Sequence, residues 1–247
     1  VTAMIAGLRK LSGVVANVNT TDELAERDNF AFGISLGGGT IALACMLMGV
    51  VSGEAANSLA KEAIQMVSFG VVGLILIKVG RLIQDKLVLR GIKIQSQIKQ
   101  GNVAAAFTDV ANVVAIGLIV RAVMRWVEGD QVLMLTSVLA AFVFAQLVLS
   151  GVSYFRVFIY KKKHDGGCIQ DALTAGNVAL SIRYMGHLVG AGLAITASSG
   201  LVMFQSEALL TSLCLWGAVP TTRPLRTLRT LGQSLDHRKA TGWQWST

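Results

Sequence analysis

Charge is scarce in this chain. Only 15% of its 247 residues are Asp, Glu, Lys or Arg, against about 25% in an ordinary soluble domain. The shortfall is gathered into long uncharged runs, and the mean hydropathy is +0.60, which together point to a membrane protein. Proline is nearly absent: the two present, Pro220 and Pro224, follow the last apolar run, so no span is broken by proline as in many transporters. The three cysteines, Cys45, Cys168 and Cys214, lie far apart and form no CxxC pair, so no disulfide framework or metal site follows from them. His187 alone makes no zinc site, since zinc takes about four ligands. His164 and His237 sit in polar segments. There is no HExxH and no GxSxG, and Gly37-Gly38-Gly39 lacks the Gly-Lys-Ser/Thr of a phosphate loop. The chain is therefore read as not an enzyme and as binding no cofactor or metal.

What is abundant is glycine, at 26 residues, many of them within apolar runs. Uncharged or nearly uncharged stretches cover Phe30–Gly53, Ala63–Ile77 (continuing to Ile83 if Lys78 and Arg81 snorkel), Val103–Val120, Gln131–Phe155 and Ala172–Ser206. A sixth, Ala208–Val219, is short for a span of roughly 20 residues. The sequence predicts an all-α, polytopic transmembrane bundle of repeated two-helix hairpins with about six spans. The first 29 residues hold no apolar core followed by a small-residue cleavage site, so the first span is expected to act as its own insertion signal.

The net charge of +8 is carried by short segments between spans, as in cytoplasmic loops, rather than by a nucleic-acid-binding face. Basic residues concentrate in alternate segments: before the first span, after the second (Lys78 to Lys99), after the fourth (Arg156 to Lys163) and in the tail. The positive-inside rule then predicts a cytoplasmic N-terminus in a bacterial inner membrane, and a cytoplasmic C-terminus if six spans form. The expected partners are the lipid bilayer and either further copies of the chain or a soluble cytoplasmic protein. No nucleic acid is expected.

Self-similarity divides the chain further. Asn29-Phe-Ala-Phe-Gly-Ile, Asn102-Val-Ala-Ala-Ala-Phe and Asn177-Val-Ala-Leu-Ser-Ile recur at near-equal intervals, each opening an apolar run. Asn29, Asn102 and Asn177 are read as helix caps. Nine and thirteen residues after each Asn come two small residues: Gly38 and Ala42, Ala111 and Ala115, Gly186 and Gly190. Small residues four apart allow close helix approach in lipid. The predicted units are a cytoplasmic segment 1–29, a first hairpin and linker 30–100, a second 101–175, an incomplete third 176–219, and a polar tail 220–247 that reads as disordered or out of frame. All three units start on one side, so they are parallel rather than inverted repeats. The linker Gln84–Gln100 mixes apolar and charged residues, as an amphipathic segment at the membrane surface would. Lys161–Gly167 reads as a basic turn.

Asp28-Asn29-Phe-Ala-Phe-Gly33, Gly80-Arg81-Leu-Ile-Gln-Asp85-Lys86 and Gly101-Asn102-Val-Ala-Ala-Ala106 resemble a bacterial inner-membrane family labelled domain of unknown function 350. Gly176-Asn177 with Arg183-Tyr-Met-Gly-His187 looks like a further copy. The resemblance extends over about Asp22 to Val202. It implies a multi-span membrane protein, supplies no mechanism, and would lead one to expect a full last hairpin.

Ionisable residues inside spans are functional candidates because they are costly there. Asp109 and Arg183 fall seven and six residues after their Asn, and Asn112 and His187 both fall ten after theirs. The four form a candidate intramembrane polar cluster, with Asp109 expected to pair with Arg183 and Asn112 to approach His187. Such a cluster serves either as a structural lock or as an ion or proton relay or a polar ligand site, and Arg183 is shallow enough to snorkel to the headgroups instead. Lys78, Arg81 and Asp85 share one helix face and read as a solvated helix end or a docking face. The reading favoured is a structural or accessory membrane component, the rival a small-solute or ion transporter.

Overall fold

A computed structural model describes residues 22–52, 59–126, 131–164 and 167–198. The predicted sixth span Ala208–Val219, the tail 220–247 and most of the segment 1–29 lie outside the described residues.

Five helices are long and apolar enough to cross a membrane, and the described residues form an all-helical membrane bundle. In chain order they are α1 (Phe30–Val51), α2 (Leu59–Ile83), α4 (Val103–Trp126), α5 (Gln131–Lys163) and α7 (Val178–Ser198), with two short helices between them, α3 (Ile94–Lys99) and α6 (Ile169–Thr174). Helix α5 has 33 residues. At about 1.5 Å each it outruns a hydrocarbon core of about 30 Å. The triplet Lys161, Lys162 and Lys163 therefore forms its exposed last turn rather than a basic turn outside it. The predicted fifth span Ala172–Ser206 is likewise divided: α6 ends at Thr174 and α7 starts at Val178.

The break has a local cause. Gly101 and Gly176, just before Asn102 and Asn177, sit at φ +82° and +81°, a left-handed conformation that glycine adopts cheaply at helix ends. Asp28 holds the equivalent place before Asn29 at φ 47°. The chain thus closes a short helix, turns at one residue and reopens a long helix at the Asn. The amide of Asn102 donates to Gln97 O and that of Asn177 to Ala172 O, at 3.0 and 3.1 Å.

The Asn-headed helices α1, α4 and α7 run parallel in a row with α4 in the middle. A methyl carbon placed on Gly117 of α4 would lie 2.6 Å from the Ala42 carbonyl oxygen of α1. One placed on Gly192 of α7 would lie 3.2 Å from the Cα of Ala115. The first approach needs glycine, and the second is tighter than an ordinary side-chain contact. Helix α2 lies against both α1 and α4, and α5 against both α4 and α7, so each bridges one seam of the row from its flank. The main core gathers Leu43, Met46, Phe69, Ile116, Ile119, Phe142, Tyr184 and Leu188. A second core lies under the Asn-headed starts. There Leu89, Ile92, Ile94 and Ile98 of the linker pack with Ala31, Phe32, Ala104, Ile169 and Leu173. The linker's apolar side is thus spent largely on the protein itself.

Candidate functional site

Each of the three Asn side chains sits at a helix start, and its Oδ1 accepts backbone N–H groups there. Asn29 takes Phe32 N at 3.0 Å, Asn102 takes Ala104 N and Ala105 N at 3.0 and 3.2 Å, and Asn177 takes Leu180 N at 3.0 Å. The amide nitrogens do more than cap. Asn29 Nδ2 donates to the carbonyls of Ile98 and Lys99, at 3.0 and 3.3 Å, at the end of α3. Asn102 Nδ2 donates to those of Leu173 and Thr174, at 3.0 and 3.2 Å, at the end of α6. Asn29 and Asn102 therefore fill the orphan donors of their own helices and the orphan acceptors of the next short helix, which water cannot reach easily near lipid.

Asp109 is fully buried in α4, and its partner is Arg81. Arg81 Nε donates to Oδ1 at 2.8 Å and Nη2 to Oδ2 at 2.7 Å. Ser35 Oγ donates to Oδ2 at 2.5 Å and Gln95 Nε2 to Oδ1 at 3.1 Å. One carboxylate thus joins α1, α2, α3 and α4, and the two-pronged arginine contact is the geometry that makes such pairs strong. The guanidinium also donates to Ser35 Oγ at 3.2 Å.

The expected pairing of Asp109 with Arg183 does not occur, nor does Asn112 approach His187. Asn112 Nδ2 donates to Gly80 O at 3.2 Å, across to α2. Arg183 and His187 are exposed, and His187 Nδ1 contacts the Arg183 carbonyl one turn back at 2.6 Å. The reason is rotational. One residue turns an α-helix by about 100°, so the sixth position after the Asn does not face where the seventh does. The seventh in α7 is Tyr184, which is buried like Asp109 and shares a 2.6 Å hydrogen bond with Ser153 of α5. Tyr184, not Arg183, is the counterpart of Asp109.

The small residues divide in the same way. Gly38 abuts Val110, Ala42 backs Gly117, and Ala111 and Ala115 are fully buried. Gly186 and Gly190 are exposed, and a methyl carbon on either would meet nothing within 4 Å. In α7 the close contact is made by Gly192 instead, because Gly186 and Gly190 lie on its outward face.

Sequence reasoning missed Arg81, Ser35 and Gln95 as partners of Asp109. The sequence places Arg81 at a solvated helix end or docking face, whereas its side chain is only 15% exposed. The available signal was Ser35, one of two hydroxyl residues in the uncharged α1, and an arginine inside the last turn of α2. Beside the pair opens a cleft of about 280 Å³ lined by Lys78, Arg81, Leu82, Asp85, Gln95, Ser96 and Lys99. Its cations could meet an anionic headgroup. Among the described residues no group of three His, Cys, Asp or Glu is placed to hold a metal ion.

No curated protein and no solved structure matches the chain. A family model matches residues 1–124, and the chain belongs to the family described as Domain of Unknown Function (DUF350).

Proposed function

We propose that this protein is a structural or accessory component of a bacterial inner membrane, without enzymatic activity, built from parallel hairpin repeats that start on the cytoplasmic side. One observation carries the reading: both oxygens of Asp109 are occupied by protein donors, two of them from a single guanidinium. A carboxylate held this way is neutralised and has no free lone pair aimed at a path, so it acts as a lock on helix register. The orientation is supported by Arg90, Lys93, Lys99 and Lys161 to Lys163, which gather at the Asn-headed ends. The working partners are the bilayer, further copies of the chain or a soluble cytoplasmic protein that reads the basic ends. Nucleic acid is not among them.

A second reading, transport of an ion or small solute, draws on the cleft that reaches Arg81. Purified protein in liposomes loaded with a pH-sensitive dye, under an imposed potential, separates the two. The structural reading expects the same leak for the wild-type protein as for protein-free vesicles. A proton or ion flux that Asp109→Asn abolishes, in a variant that still folds, would overturn it.

A further inference from the structure

We propose that copies of this chain join head to tail, with the outward face of α7 in one copy seated on the outward face of α1 in the next. The inference goes beyond the structural reading, because the seam would form whether or not the protein moves a solute.

The row α1–α4–α7 is held by two seams with the same register. In the first, Ala42, thirteen residues after Asn29, backs onto Gly117, fifteen after Asn102. In the second, Ala115, thirteen after Asn102, backs onto Gly192, fifteen after Asn177. A third seam of this kind would set Gly190, thirteen after Asn177, against a small residue fifteen after another helix-heading Asn. That residue exists in α1: it is Ala44, and it is exposed. The upper contact of the first seam, Gly38 against Val110, pairs positions nine and eight. Its counterparts in the third seam are Gly186 and Gly37, both exposed, and a methyl carbon on either would meet nothing within 4 Å.

The hydrogen bonds point the same way. Asn29 Nδ2 and Asn102 Nδ2 each donate to the carbonyls four and three residues before the next Asn. Asn177 makes its capping bond, but its Nδ2 reaches no acceptor among the described residues. The carbonyls of Ala25 and Glu26, four and three before Asn29, receive no inter-segment donor among them. One edge of the row thus offers the donor, the other the acceptors. The free faces are apolar: Ile41 and Met48 on α1 are 56% and 45% exposed, Ile182 and Leu193 on α7 46% and 52%. Close backbone packing of small residues is a main driving force for association in lipid. Because the two faces differ, the contact is heterologous and either closes a ring or extends as a row.

A methyl carbon on Gly192 would lie 3.3 Å from Cβ of Ala115, near the ~3.5–4.5 Å that a disulfide spans. The matching test pairs Ala44→Cys with Gly190→Cys. The two variants, with different epitope tags and with Cys45, Cys168 and Cys214 replaced by alanine, are co-expressed and oxidised in native membranes. The expected product is a disulfide-linked dimer carrying both tags, absent when either variant is expressed alone. No mixed dimer, or dimers of Ala44→Cys or Gly190→Cys with themselves, overturns the proposal. A second measurement needs no cysteines: native mass spectrometry of the otherwise unaltered chain in lipid nanodiscs. Oligomers are expected for the wild-type chain and monomers for Gly190→Phe. A monomeric wild-type protein, or a Gly190→Phe protein with unchanged oligomers, also overturns it.

Discussion

Helices α4 and α7 begin alike, at a Gly-Asn-Val-Ala sequence, yet they lead different lives. In the most apolar stretch of α4, 72% of residues are buried inside the protein, against 28% in α7. The difference comes from neighbours: α4 has an Asn-headed helix on each side, whereas α7 has one among the described residues. The same motif therefore yields a buried, charge-bearing helix in the middle and an edge helix with Arg183 and His187 facing outward. A polar residue in a span says little about function until the rotation of its helix is known.

Substitutions separate the middle helix from the edge helix, with stability read from denaturation in detergent micelles. The largest effect is expected from Arg81→Met, which leaves Asp109 buried without its counter-charge. Breaking one side of a buried pair costs about 3–5 kcal/mol. Next comes Gly117→Val, whose side chain would press on the Ala42 backbone. Overpacking of this kind costs about 1–3 kcal/mol or more. The same change at Gly190, which meets nothing within 4 Å, should leave the stability of the single chain within about 0.5 kcal/mol. Asn102→Ala loses a cap worth about 1 kcal/mol together with its bonds to Leu173 and Thr174, so it should exceed Asn177→Ala, which loses the cap alone. Arg183→Gln, at an exposed site, should likewise stay within about 0.5 kcal/mol. Equal losses for Gly117→Val and Gly190→Val would erase the distinction between middle and edge.

Much of the fold was legible because it rests on local physics. Span length follows from hydropathy, and Asn29, Asn102 and Asn177 announce helix starts because a side-chain oxygen next to free N–H groups is a local matter. The small residues Gly38, Ala42, Ala111 and Ala115 marked contact faces for the same reason. The partner of Asp109 was not legible. Arg81 stands 28 residues earlier, among Lys78, Asp85 and Lys86 at a helix end that reads as solvated. Only the seating of α2 against α4, which Gly80 allows by yielding to Ile116, brings its guanidinium to the carboxylate. Asp109 and Arg183 differ by one residue in register after their Asn, which in a helix is a change of face.

If Asp109 and Arg81 form a lock rather than a path, the stability of Arg81→Met set against that of the double variant Arg81→Met/Asp109→Leu will reveal it. Replacing a whole buried pair by apolar residues is often neutral, whereas removing one member is not. A lock predicts that the double variant recovers most of the stability lost by the single one. A double variant no more stable than Arg81→Met would contradict it.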